Sequence, residues 1–155
     1  MSENAFVQRD AFHMLCDQVI GRGISRVVYS SKVLPDCVVK VEDGAGSFQN
    51  VIEWETWQRV SDTPFSRWFA ACRWISPSGS VLVMERTRPA TPSEFPEKMP
   101  VFLTDFKRTN YGVSMMADPK TGQPAETFVC HDYGTSLLFE HGMSKRLRKA
   151  EWWDV

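Results

Sequence analysis

Apolar residues recur along this chain in short alternations and runs, cut at intervals by glycine and proline. Residues 9–18 place Ala11, Phe12, Leu15 and Cys16 at i, i+1, i+4 and i+5, which predicts a short amphipathic helix. After Gly21-Arg-Gly23, the β-branched and aromatic run Arg26-Val-Val-Tyr29 reads as a strand. Leu34-Pro-Asp36 reads as a turn, and Cys37-Val-Val-Lys40-Val41 as the second strand of a hairpin. Gly44-Ala-Gly46 breaks the chain, and residues 47–60 fit a helix capped by Ser47. Asp62-Thr63-Pro64 predicts a second helix start, with the proline tolerated in the first turn. Ala71–Ile75 and Val81–Glu85 read as strands joined by the turn Ser76-Pro-Ser-Gly79. Four prolines in residues 88–100 mark an irregular linker and the expected boundary between a unit of residues 1–87 and one of residues 88–155. Tyr111–Met116 and Thr127–Asp132 predict a further hairpin around residues 118–122, and Phe139–Trp153 a closing helix interrupted near Gly142.

Composition narrows the class. With 43% hydrophobic and 24% charged residues in 155, the chain can bury a core and is too apolar for a disordered tail. Eighteen basic against nineteen acidic residues leave a net charge of −1, so no global field exists to hold nucleic acid or an anionic membrane. Four cysteines without a CxxC pair predict reduced thiols. No secretory pattern opens the chain, and no run approaches the roughly 18 apolar residues of a membrane span. A cytoplasmic protein is expected.

Five places carry candidate chemistry. Gly21 and Gly23 head a strand, where glycine lets backbone amides approach a phosphate. Lys40 lies inside the apolar strand 38–41, where a charge is costly unless paired. Glu53, thirteen residues on, stands on the predicted helix with Trp57 and Val60 beneath it, which favours it over Glu55 as the partner of Lys40. Asp105-Phe-Lys107-Arg-Thr-Asn110 offers a proton acceptor, a cation and a metal-binding amide oxygen. Asp132-Tyr-Gly134 ends a strand with a carboxylate and then a flexible glycine.

In this order, over residues 18–134, the chain resembles the protein-kinase-like superfamily. The resemblance implies an α+β fold whose N-terminal lobe is an antiparallel sheet with one packed helix, followed by a much reduced C-terminal lobe. It implies ATP and Mg²⁺ as ligands and transfer of a phosphoryl group to protein hydroxyls or to the chain itself. Gly21, Gly23 and Val28 would cover the nucleotide. Met84 would lie behind the adenine, and the backbones of Glu85 and Thr87 would bond its edge. Lys40, held by Glu53, would bind phosphate; Asp105 and Lys107 would serve the transfer, and Asn110 and Asp132 the metal. Three departures stand out: Arg26 replaces the third glycine, Leu103-Thr104 the His-Arg pair, and Tyr133 the phenylalanine of the metal motif. Only residues 88–102 separate the hinge from Leu103, and 21 residues follow Gly134, so the usual substrate-holding helices do not fit.

The shortage of substrate platform supports an alternative, a pseudokinase-like adaptor that docks a partner protein without transfer. Other features have simpler readings. Lys145-Arg-Leu-Arg-Lys149 with Trp152 and Trp153 is expected to be a basic helix docked on the N-terminal lobe rather than a nucleic-acid contact. Trp54, Trp57, Trp68 and Trp74 are expected in the core of that lobe.

Overall fold

The computed structural model describes residues 5–43, 47–115, 120–135 and 143–154. The fold is α+β, with antiparallel sheets and, among the described residues, two α-helices. Helix α1 (Ala5–Leu15) leads into strands β1 (Val19–Arg22), β2 (Arg26–Ser30) and β3 (Cys37–Glu42). Helix α2 (Gln49–Val60) follows, and then strands β4 (Cys72–Ile75) and β5 (Val81–Glu85). These five strands form one sheet in the order β1-β2-β3-β5-β4.

Period-2 alternation assigns the two faces of this sheet. Val38 on β3 and Leu82 and Met84 on β5 join the main core, with Val60 of α2 and the half-buried Trp54 and Trp57. Val39 and Val83 point to the other face and pack with Leu15 and Cys16 at the end of α1 and with Tyr29 of β2. Lys40 shares the Val38 face, and so points toward α2.

Helix α2 does not begin as its sequence suggests. Ser47 does not cap it: its hydroxyl donates to Glu42 Oε1 at 3.1 Å, and the cap position is Phe48, whose backbone is left-handed (φ 55°). Glu42 Oε1 also accepts from the Asn50 amide at 3.0 Å, so a carboxylate from β3 serves the helix start. The second predicted helix is a short 3-10 turn, Pro64–Trp68, capped by Thr63, the residue just before the proline. Of the four early tryptophans, Trp54, Trp57 and Trp68 pack against the core, while Trp74 is 49% exposed on an edge strand.

Residues 87–154 are held differently. Strands β6 (Thr87–Arg88), β8 (Tyr111–Ser114) and β9 (Thr127–Cys130) make a three-stranded sheet, and β7 (Lys98–Pro100) pairs with β10 (Leu147–Lys149). A Cβ on Gly112 of β8 would lie 2.6 Å from Thr87 Oγ1 and 2.7 Å from the Arg88 carbonyl, so only glycine permits the approach to β6. The proline-rich linker holds a 3-10 turn (Pro92–Glu94) and β7.

The predicted closing helix is not what the described residues show. Residues 139–142 lie outside them, and 143–154 form β10 and an extended tail. Pairing with β7, almost fifty positions upstream, overrides the good helix formers of this segment. Trp152 and Trp153 dock on residues of the C-terminal part, not on the five-stranded sheet. Trp152 packs against Phe95, Phe106, Tyr111 and Phe128 at ring separations of 4.9–5.7 Å, and its Nε1–H donates to the Pro96 carbonyl at 2.7 Å. The main core runs through both parts of the chain: Phe69 stacks on Phe102 and meets Tyr133 edge-on.

Candidate functional site

A cavity of about 490 Å³ opens between the five-stranded sheet and the loops of the C-terminal part, a size suited to a small-molecule ligand. Gly21, Gly23 and Val28 form one wall, and Glu85 and Thr87 the connection at its back. Lys40, Lys107, Asn110 and Asp132 line the same space, although they come from three separate segments. Met84 is fully buried in the core and does not line the cavity. Asp105 is exposed and does not line the cavity; its Oδ2 accepts from Nδ2 of Asn110, which does, at 3.0 Å.

Glu53 organises the deep end. It is 0% exposed, and its two carboxylate oxygens each lie 3.0 Å from Lys40 Nζ. Arg26 Nη1 also donates to Glu53 Oε1, and the Tyr133 amide donates to Oε2 at 3.1 Å. A buried carboxylate with two cations and an amide is fully satisfied, the condition under which such burial is tolerated. Lys40 Nζ additionally donates to the His131 carbonyl, which ties β3 to the segment carrying Asp132. Glu55, the rival on α2, is exposed.

Arg26 reaches further than its sequence position suggests. It is 5% exposed; Nη1 contacts Asn50 Oδ1 at 3.1 Å and Nη2 contacts Asp132 Oδ1 at 2.9 Å. Asn50 in turn donates from Nδ2 to the carbonyls of Lys40 (3.1 Å) and Gly79 (3.0 Å). It therefore fixes the guanidinium, the β3 backbone and the 76–79 turn together. Asn50, Glu53, Thr56 and Val60 are the buried stripe of α2, one turn apart. An amide three positions before a buried acid is the available local signal for Asn50; its three side-chain partners lie 24, 10 and 29 positions away, so no local pattern shows its role.

His131 sits at the floor. Its Nε2–H donates to the Thr109 carbonyl at 2.7 Å, so Nδ1 accepts from the Thr87 hydroxyl at 2.7 Å. Burial and the nearby Lys40 ammonium hold this imidazole below its ordinary pKa, which keeps it neutral. The two thiols beneath are protonated: burial pushes Cys72 up to about 12 and raises Cys130 as well.

The loop carrying Asp105, Lys107 and Asn110 rests on the C-terminal tail. Trp153 N donates to the Phe106 carbonyl at 3.1 Å, and Arg108 N donates to the Trp153 carbonyl at 2.9 Å. Lys107 Nζ lies 5.8 Å from the Trp153 ring centroid. The tail is thus the scaffold of the loop, a role that no local pattern announces.

The electrostatic character of the cavity is cationic. Arg22, Arg26, Lys40, Arg86 and Lys107 line it, against Glu85 and Asp132. The Glu85 carboxylate is turned away, accepting from Ala71 N (2.9 Å) and Ser114 Oγ (3.0 Å). Such a cavity suits a polyanion. Among the described residues no group of three His, Cys, Asp or Glu side chains is placed to hold a metal, and no helix is long and apolar enough to cross a membrane. Comparison with protein-family models, with curated proteins and with solved structures finds no match for the chain.

Proposed function

We propose that this chain is a small protein-kinase-like phosphotransferase that binds ATP with Mg²⁺ in the 490 Å³ cavity and transfers a phosphoryl group to protein hydroxyls or to itself. One observation carries the reading: Lys40, clamped by Glu53, lines the same cationic cavity as Asn110 and Asp132. In this reading Lys40 binds phosphate oxygens, and Glu53 and Asn50 keep its strand in place. Asp105, hydrogen-bonded to Asn110, accepts the proton of the incoming hydroxyl, and Lys107 neutralises charge developing on the transferred group. The glycines of β1 and its following turn admit the polyphosphate, and the carbonyl of Glu85 with the amide of Thr87 faces the base.

The oxygen donors fit a hard cation. Asn110 spends its amide nitrogen on Asp105, which leaves Oδ1 as the donor, and Asp132 is a half-exposed carboxylate. Mg²⁺ typically takes one or two such groups and completes its shell with water and phosphate. When bound, it supplies further charge neutralisation.

The test is binding and labelled-phosphate transfer by Lys40→Ala and Asp132→Ala. Glu53 keeps Arg26 and the Tyr133 amide when Lys40 is removed, so the first variant is expected to fold. Transfer is expected to fall about a hundredfold or more in each. Wild-type activity in either variant would sink the assigned roles. A second reading, an adaptor that binds a partner protein without transfer, draws on the guanidinium already seated on Asp132. A thermal shift with nucleotide but no turnover in the wild type would favour it.

A further inference from the structure

We propose that Arg26 is a resident cation of the phosphate site, so that polyphosphate binds here without a divalent ion. The inference rests on the nucleotide reading above and adds how the charge is balanced. Two cations, Arg26 and Lys40, meet two carboxylates, Glu53 and Asp132, in one connected cluster. The fixed charges of the cluster sum to zero before any ion arrives. Among the described lining residues the acids are Glu85, which is turned away, and Asp132, which therefore carries a guanidinium where an ion would be recruited.

Arg26 is not a mobile surface arginine. It is 5% exposed and pinned at Nη1 by Glu53 and Asn50, while Nη2 extends to the half-exposed Asp132. Its anchor is thus rigid and its outer end faces the ligand space. A charged N–H donor makes strong hydrogen bonds to phosphate oxygens, and a pre-positioned Nη2 loses little freedom on binding. Arg22, Lys40 and Lys107 border the same space and add to the field. A divalent ion, by contrast, must compete with the Arg26 guanidinium for Asp132.

Binding constants measured by calorimetry on the full chain test this, with ATP and inorganic tripolyphosphate as probes, each in excess EDTA and in excess MgCl₂. The wild type is expected to bind both probes in EDTA within about threefold of its affinity in magnesium. Arg26→Gly is expected to lose at least tenfold in EDTA and to recover most of it in magnesium. Arg26→Lys, which keeps the charge, serves if the glycine variant unfolds, and is expected to retain metal-free binding. Asp132→Asn frees Nη2 without touching the buried Glu53 and is expected to bind tripolyphosphate in EDTA at least as tightly as the wild type. A wild type that needs magnesium by tenfold or more, an Arg26→Gly indifferent to EDTA, or a tenfold loss in Asp132→Asn overturns the proposal. ATP bound only with magnesium sinks the Arg26 role and leaves the nucleotide reading standing. Tripolyphosphate bound metal-free, with ATP no tighter, does the reverse. Failure of both probes in both buffers removes both.

Discussion

The deep end and the rim of the cavity achieve order by opposite means. At the deep end Lys40, Glu53, Arg26 and Asn50 are almost wholly buried on β2, β3 and α2, and they are linked to one another by hydrogen bonds and ion pairs. At the rim Asp105, Lys107 and Thr109 belong to a loop whose side chains reach solvent, and the support lies behind them, in an aromatic cluster around Trp152. One end is fixed by charge and the other by packing. Damage to each should therefore have a different signature.

The largest effect is expected from Glu53→Ala, which removes the carboxylate shared by two buried cations. Removing one partner of a buried ion pair costs about 3–5 kcal/mol. Denaturant titration should show a loss of that order, whereas Glu55→Ala on the exposed face should stay within about 0.5 kcal/mol of the parent. Equal losses in the two variants would refute the charge-organised deep end.

Next comes Trp152→Ala. A large aromatic truncated in a packed cluster costs about 3–5 kcal/mol, and the half-burial of this ring places it at the lower figure. The indole also loses its bond to Pro96. Because Phe106 leans on this ring, the rim loop should loosen while the Lys40–Glu53 pair persists. Hydrogen exchange should then rise at residues 105–110 and remain slow at 38–41. A loss below about 1 kcal/mol, or exchange rising equally in both stretches, contradicts a rim held by packing.

Sequence made the deep end partly legible for a physical reason. A lysine within the alternation of residues 37–41 has to be paired, and the spacing of Glu53 to Val60 puts that acid on the inward face of α2. Arg26 was visible only as a departure from the family pattern, because its partners lie 24, 27 and 106 positions away. Ser47 looked like a cap because hydroxyls favour that place, yet Glu42 claims it across the turn. The tail was least legible. Residues 147–153 have helical propensity, and the contest was decided by β7, whose pairing leaves no trace in local periodicity.

The smallest expected effect concerns Glu85, the residue that joins the two regions. Its carboxylate is 4% exposed, takes the Ala71 amide from the five-stranded side, and takes the Ser114 hydroxyl from the three-stranded side. Burial raises its pKa, and the two donated bonds only partly oppose this. The folded chain thus holds the proton to higher pH than the unfolded chain does. The corresponding stability is full below the ordinary carboxylate range and is lost as pH rises through the raised folded value. Glu85→Gln cannot ionise; its carbonyl can keep the Ala71 amide and its NH₂ can donate to Ser114 once that hydroxyl turns. The variant should therefore gain on the wild type in denaturant stability as pH rises from about 4 toward 7, from near parity at the acid end. A difference independent of pH across that window would mean that the buried carboxylate is offset elsewhere in the fold, and that Glu85 is not a pH-sensitive tie between the two sheets.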